Sequence, residues 1–393
     1  MKIQLTSYLS SVFFFKIAVG AILLAIGWDS MEISGNGLLN ITIIMALSFF
    51  PATFARPIFQ RFSAIPIPKL LALCLCISGS LIMIEYRLMD INRGAAFTTH
   101  FILWIFIFII EVACEKWYVT LSQGFDLDKI RKLSGLSTSV AQLGIVIGPL
   151  TVMLAKEYSQ ALPYWIIALS FIISMLFSLS AVFLSNASLI ASNKPNRKVN
   201  VKLNDKKLLY VLGFALIWPT LTVFNLSIPV LAKTQYNSIN VAGTLEILIA
   251  IATVIAGFAH PYITRSTVFL KRTSIVFIIL FISALSAYLY NSNLIIISLG
   301  VFLLGMSFGY LRIELRAQLS RRFEPKVAGE IVASANGWSG LIVIIYAVFF
   351  YICTQIQTAN GLTVSFPISF VVCAALFVYI LNHENKNEAL YGN

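Results

Sequence analysis

Apolar runs of about twenty residues recur along this chain, parted by short polar breaks, and no other feature restricts its fold so tightly. A bilayer core about 30 Å thick is crossed by about 20 mostly apolar helical residues. With 59% hydrophobic and 11% charged residues, the chain has too little polar surface to solvate a globule of 393 residues, so its solvent is lipid. The expected fold class is an all-α membrane protein with twelve transmembrane helices, near 8–27, 35–55, 69–86, 97–120, 132–155, 161–185, 207–231, 242–265, 272–290, 294–320, 327–352 and 362–382. No stretch remains for a soluble domain.

The polar breaks orient these spans. If the N-terminus is cytoplasmic, 23 of the 28 Lys and Arg fall on inside segments and four, Arg87, Arg93, Lys156 and Lys233, fall outside, with Lys16 alone within a span. The positive-inside rule then predicts a multi-pass protein with both termini in the cytoplasm. The same distribution accounts for the net charge of +12 without nucleic acid, because the basic residues alternate loop by loop instead of gathering on one face. The first apolar stretch is read as a retained helix, since only Lys2 flanks it, Lys16 interrupts it and further spans follow. Cys74, Cys76, Cys114, Cys353 and Cys373 lie within predicted spans without metal-ligand spacing and are expected to be small buried side chains.

An internal repeat organises the spans. Phe54 to Ser63 reads FARPIFQRFS and Phe258 to Thr267 reads FAHPYITRST, so Phe, Ala, Pro and Arg recur 204 positions apart. Each copy is expected in the loop that follows an even-numbered span. Lys132 and Gly135 are echoed by Lys326 and Gly329, 194 positions apart, each pair opening a fifth helix. The ten-residue difference is assigned to a longer external loop at Arg87 to Ala96. Two six-helix pseudo-repeats follow, residues 1–185 and 207–393, joined by a basic cytoplasmic linker at 186–206 that contains Pro195.

Six plus six helices, cytoplasmic termini, a basic central segment and basic motifs after spans 2 and 8 together resemble the major facilitator superfamily. In that family the motif after helix 2 helps close the cytoplasmic side; Pro57, Arg61 and Lys69 fit it, Gln60 stands where the family has aspartate, and Arg265 belongs to the second copy. In span 5, Gly135, Gly144, Gly148 and Pro149 have the spacing of the family's antiporter motif, without its terminal glycine pair. Small residues on one helical face also serve simply for close packing, with Pro149 bending the helix, and both readings stand. The segment from Arg312 to Ser334 looks like helices 10 and 11 of the drug and siderophore exporter branches. These resemblances jointly imply proton-coupled export by a functional monomer.

Charges inside a bilayer need a partner, a wet cavity or a function. Lys16 in span 1 and Glu111 in span 4 come out near mid-depth, and Glu115 sits one turn from Glu111 on the same face. The resemblance puts spans 1, 4, 7 and 10 around a central cavity, with Lys16 and Glu111 on facing walls. Either Glu111, with Glu115 beside it, exchanges a coupling proton to which Lys16 responds, or the residues form a structural ion pair. Arg312 and Arg316 approach the end of span 10, where snorkelling to the interface is the favoured expectation. Otherwise Arg312 draws an acidic cargo into a cavity shared with Tyr310, Trp218 and Asn225. Glu85 and Glu246 are expected close enough to the outer interface to need no special account.

The sequence shows no P-loop pattern and no Ser, His and Asp constellation, so neither direct ATP hydrolysis nor a membrane enzyme is expected. The expected function is secondary active transport in the inner (cytoplasmic) membrane of a bacterium. The partners are the lipid bilayer and a small siderophore-like or drug-like substrate; the energy source is the proton gradient; no cofactor or metal is expected. Uptake by proton symport of a small anionic metabolite or iron chelate, and a sensor built on a transporter fold, remain the alternatives.

Overall fold

A computed structural model describes residues 2–32, 37–62, 65–184, 207–208, 210–215, 228–263 and 293–355. Its helices are α1 (Lys2–Glu32), α2 (Gly37–Phe49), α3 (Ala52–Arg61), α4 (Ile67–Ile91), α5 (Arg93–Ser122), α6 (Leu127–Lys156), α7 (Leu162–Leu184), α8 (Ile239–Ile263), α9 (Leu294–Arg322) and α10 (Pro325–Gln355). Among the described residues, eight helices are long and apolar enough to cross a bilayer. Large apolar side chains such as Trp165, Leu169, Leu176, Leu299 and Ile345 stay exposed on the outside of the bundle, as lipid-facing positions require. The expected spans at 272–290 and 362–382, the linker at 186–206 and most of the span at 207–231 lie outside the described residues.

Turn chemistry sets the joints. Asn92 alone separates α4 from α5, and its side chain accepts a hydrogen bond from the Ala95 amide at 3.1 Å. The long external loop expected at Arg87 to Ala96 is therefore absent: these residues lengthen two helices, because an Asx cap lets the chain reverse within one residue. Between α5 and α6, Gly124 takes a left-handed φ of +79°, which glycine adopts without Cβ strain, and Asp126 then caps α6 at the Lys129 amide. The Lys129 side chain and that amide together hold the Asp126 carboxyl below its usual range.

The repeated proline motif is also helical, not looped. Phe54 to Arg61 lies in α3, set off from α2 by a turn at Phe50 and Pro51, and Phe258 to Ile263 forms the last turns of α8. Pro57 and Pro261 thus occupy corresponding positions inside helices.

Packing links the helices into one bundle. α1 packs on α6 and α7, and α4 on α5 and α7. Two seams join the first seven helices to the last three: α6 lies along α8, and α10 lies against α2, α3 and α5. Arg61, Lys69, Lys129, Lys132, Arg321, Arg322 and Lys326 fall at the end of the bundle where α1 begins, here called the basic end.

Candidate functional site

Where α1, α5, α6 and α9 converge, a cavity with room for about one water molecule is lined by Tyr8, Lys16, Glu111, Cys114, Glu115, Ser137, Arg312 and Arg316, with Val12, Phe15, Thr138 and Ala141. Helices from both sides of the α6–α8 seam supply these groups. The structure pairs Lys16 Nζ with Glu111 Oε1, both largely withdrawn from solvent, and the ammonium also lies 5.2 Å from the centre of the Phe15 ring.

The glycines of α6 place this pair. A side chain at Gly144 would collide with the Phe13 carbonyl and the Lys16 Cβ; one at Gly148 would meet the backbone of Ile17, Gly20 and Ala21. Pro149 is buried in the same contact with Gly20, and α6 continues through it to Lys156. Gly135 instead packs against Gly257 of α8. The glycine-proline motif is thus the surface on which α6 meets α1 and α8.

Glu115, one turn from Glu111, is paired with a different cation. Arg316 Nε donates to Glu115 Oε2 at 2.7 Å, one terminal nitrogen to Ser137 at 3.0 Å and the other to Tyr8 at 2.9 Å, while its plane lies 3.9 Å from the centre of the Tyr118 ring. Arg312 and Arg316 are both buried, so the snorkelling expected of them is overturned. With carboxylates available across the bundle, turning inward satisfies more of the planar guanidinium's donors than reaching the interface would.

A second buried network closes the basic end. Glu314, on the opposite side of α9, accepts from Arg131 of α6 at 3.2 Å and from Gln318 at 2.7 Å, with His260 of α8 3.0 Å from its other oxygen. Ser134 donates to the Ile313 carbonyl, and Ser122 meets Ser320. Neither Arg131 nor Glu314 stood among the candidate site residues of the sequence. The available signal was one acidic residue between two arginines in an apolar helix. The Tyr310 ring lies 5.0 Å from that of His260 at a tilt of 51° and is not part of the cavity wall.

In the half of the bundle away from the basic end, Glu85, His100 and Ser48 form a buried chain, His100 Nδ1 lying 2.9 Å from Glu85 and Nε2 2.8 Å from Ser48. Ser48 also donates to the Ile44 carbonyl, which leaves its oxygen lone pairs for the imidazole. This serine, histidine and acid set was not legible from spacing. All three are sealed in the core, where they tie α2, α4 and α5 together. Glu85 and Glu246 are both buried within the bundle, each within two turns of a helix end. Cys74 and Cys114 are buried as expected, whereas Cys76 faces outward. Arg61 is exposed on α3; Trp218, Asn225 and Arg265 lie outside the described residues.

No protein-family model matches the sequence, and no curated protein matches it. Solved structures do match in shape. A bacterial homologue of the iron transporter ferroportin, in an outward-facing state with soaked iron, superposes with a TM-score of 0.72 at 11% identity, over 96% of this chain and 98% of that one. The human organic anion transporter MFSD10 (TETRAN) gives 0.67 at 14% identity, over 97% and 99%. The nucleoside transporter NupG gives 0.61 at 13% identity, over 98% of both. These likenesses establish the major facilitator fold.

Proposed function

We propose that this chain, with the major facilitator fold, is a secondary active transporter that exports a small organic molecule in exchange for protons. The observation that carries the reading is the Lys16–Glu111 pair, buried in a cavity that helices from both sides of the central seam enclose. A buried pair costs desolvation on both partners and is weak evidence for stability alone, which favours a working role. Protonation of Glu111 frees Lys16, and that change of charge biases which end of the bundle opens.

Twelve spans in two six-helix repeats are supported by the seams. In repeat numbering α6 and α10 are fifth helices, while α2 with α3 and α8 are second helices; each fifth helix packs on the other half's second helix, as a pseudo-twofold axis demands. The positive-inside rule makes the basic end cytoplasmic, so the Glu115–Arg316 and Glu314 networks hold the cytoplasmic side shut in this state. The protein works as a monomer in a bacterial inner membrane, on the proton gradient and without a cofactor.

The cavity wall carries Lys16, Arg312 and Arg316 against Glu111 and Glu115, which suits a cargo bearing negative charge, siderophore-like or drug-like. The fold does not choose: the solved relatives are named for iron, organic anions and nucleosides. The test is purified protein in vesicles under an imposed pH gradient, with a panel of siderophores, dyes and antibiotics, following cargo and lumenal pH together. Cargo moving against protons is expected. Cargo moving with protons makes the protein an importer, and no movement across the panel favours a sensor.

A further inference from the structure

Asp29, Glu85, Glu111, Glu115 and Glu314 each meet a cation or an imidazole inside the bundle. Glu246 does not. It lies on the buried face of α8, is 5% exposed, and its Oε1 has no hydrogen-bond partner.

The elements packed on α8 supply no counter-charge to it among the described residues. α6 has no ionisable side chain from Gln142 to Ala155; the next, Lys156, is held by Asp29 of α1, which also bonds Tyr164. α9 has none from Leu294 to Gly309, and the residues that pack on α8 from it include Gly305 and Gly309. The π-helical turn at Ala232–Tyr236 brings Lys233, which lies 4.9 Å from the centre of the Trp28 ring, and Tyr236. On α8 itself the other titratable groups are His260, about 21 Å along the axis and facing Glu314, and Tyr262 beyond it. A lone carboxylate ion in such a place is far costlier than the neutral acid.

We propose that Glu246 is a second proton-binding site, occupied in this state and emptied when the α6–α8 seam admits water. Along that seam Gly135 rides on Gly257, Ser139 donates to the Val254 carbonyl, and the flexible Met153 side chain covers Gly243 on the helical face that also carries Glu246, so a shift of Met153 is enough to expose the site. The site stands whatever the protein carries. Only its consequence, a further proton per transport cycle, rests on the transporter reading.

Infrared difference spectra of the full-length protein in lipid vesicles, recorded as pH is raised from neutral, test the site without any cargo. The wild type is expected to show the carbonyl band of a protonated carboxylic acid at neutral pH, and Glu246→Gln to lack it, while Glu111→Gln retains it. Superimposable wild-type and E246Q spectra overturn the proposal. The neutral isostere replaces an acid already neutral, so E246Q is expected to fold, and to lose less thermal stability than the wild type as pH rises. Failure of E246Q to fold, or parallel loss in the two proteins, also overturns it. A negative cargo assay leaves the band in place, so failure of the transporter reading is distinguishable from failure of the site.

Discussion

Arg316 of α9 reaches Glu115 of α5 at 2.7 Å across 201 residues of sequence, and its two terminal nitrogens donate to Ser137 and Tyr8. Removing one partner strands the other as a buried charge, which costs about 3–5 kcal/mol. Arg316→Met and Glu115→Gln are each expected to lower the melting temperature in detergent sharply. The double variant is expected to recover much of the loss, and equal losses in single and double variants would show that the pair is not coupled.

Glu314 ties α9 to α6 and α8 at the basic end. Glu314→Gln weakens that latch and shifts the population toward states open there. A cysteine placed at buried Ser134 is expected to react several-fold faster with a membrane-impermeant maleimide in the E314Q background, when the reagent is added from the basic side. Unchanged labelling would remove Glu314 from the closure.

At Gly144 a Cβ meets both the Phe13 carbonyl and the stem of Lys16. Gly144→Val forces α6 away from α1, at about 1–3 kcal/mol for the overpacking. Transport is expected to fall more than stability, because the same collision pushes the Lys16 stem on α1 away from its contact with Glu111. A variant that melts early yet transports normally when cold would mark the motif as packing alone.

The Lys16–Glu111 pair separates coupling from structure. Glu111→Gln is expected to abolish transport driven by a pH gradient. Lys16→Met with Glu111→Gln is expected to restore thermal stability while transport stays lost. Full pH-driven transport by either variant at normal expression would reduce the pair to a structural bond.

Much of this protein was legible before any coordinates, because the bilayer reads local properties. A run of twenty apolar residues is helical wherever it sits, and the loop-by-loop placement of Lys and Arg already suggested the basic end. Asn92 and Pro57 went astray because one Asx cap turns a chain without a loop, and because Pro57 sits inside α3 although it removes one helical hydrogen bond.

What only the tertiary structure decided was the partner of each interior charge. Sequence placed Lys16 and Glu111 at matching depth, but nothing in spacing could send Arg316 inward to Glu115, join Arg131 to Glu314, or leave Glu246 Oε1 without a partner among the described residues. Depth in a membrane follows from position along one helix. A partner follows from how helices far apart in the chain rotate and pack together, and that is fixed by contacts such as Gly144 on α1 and Gly135 on α8.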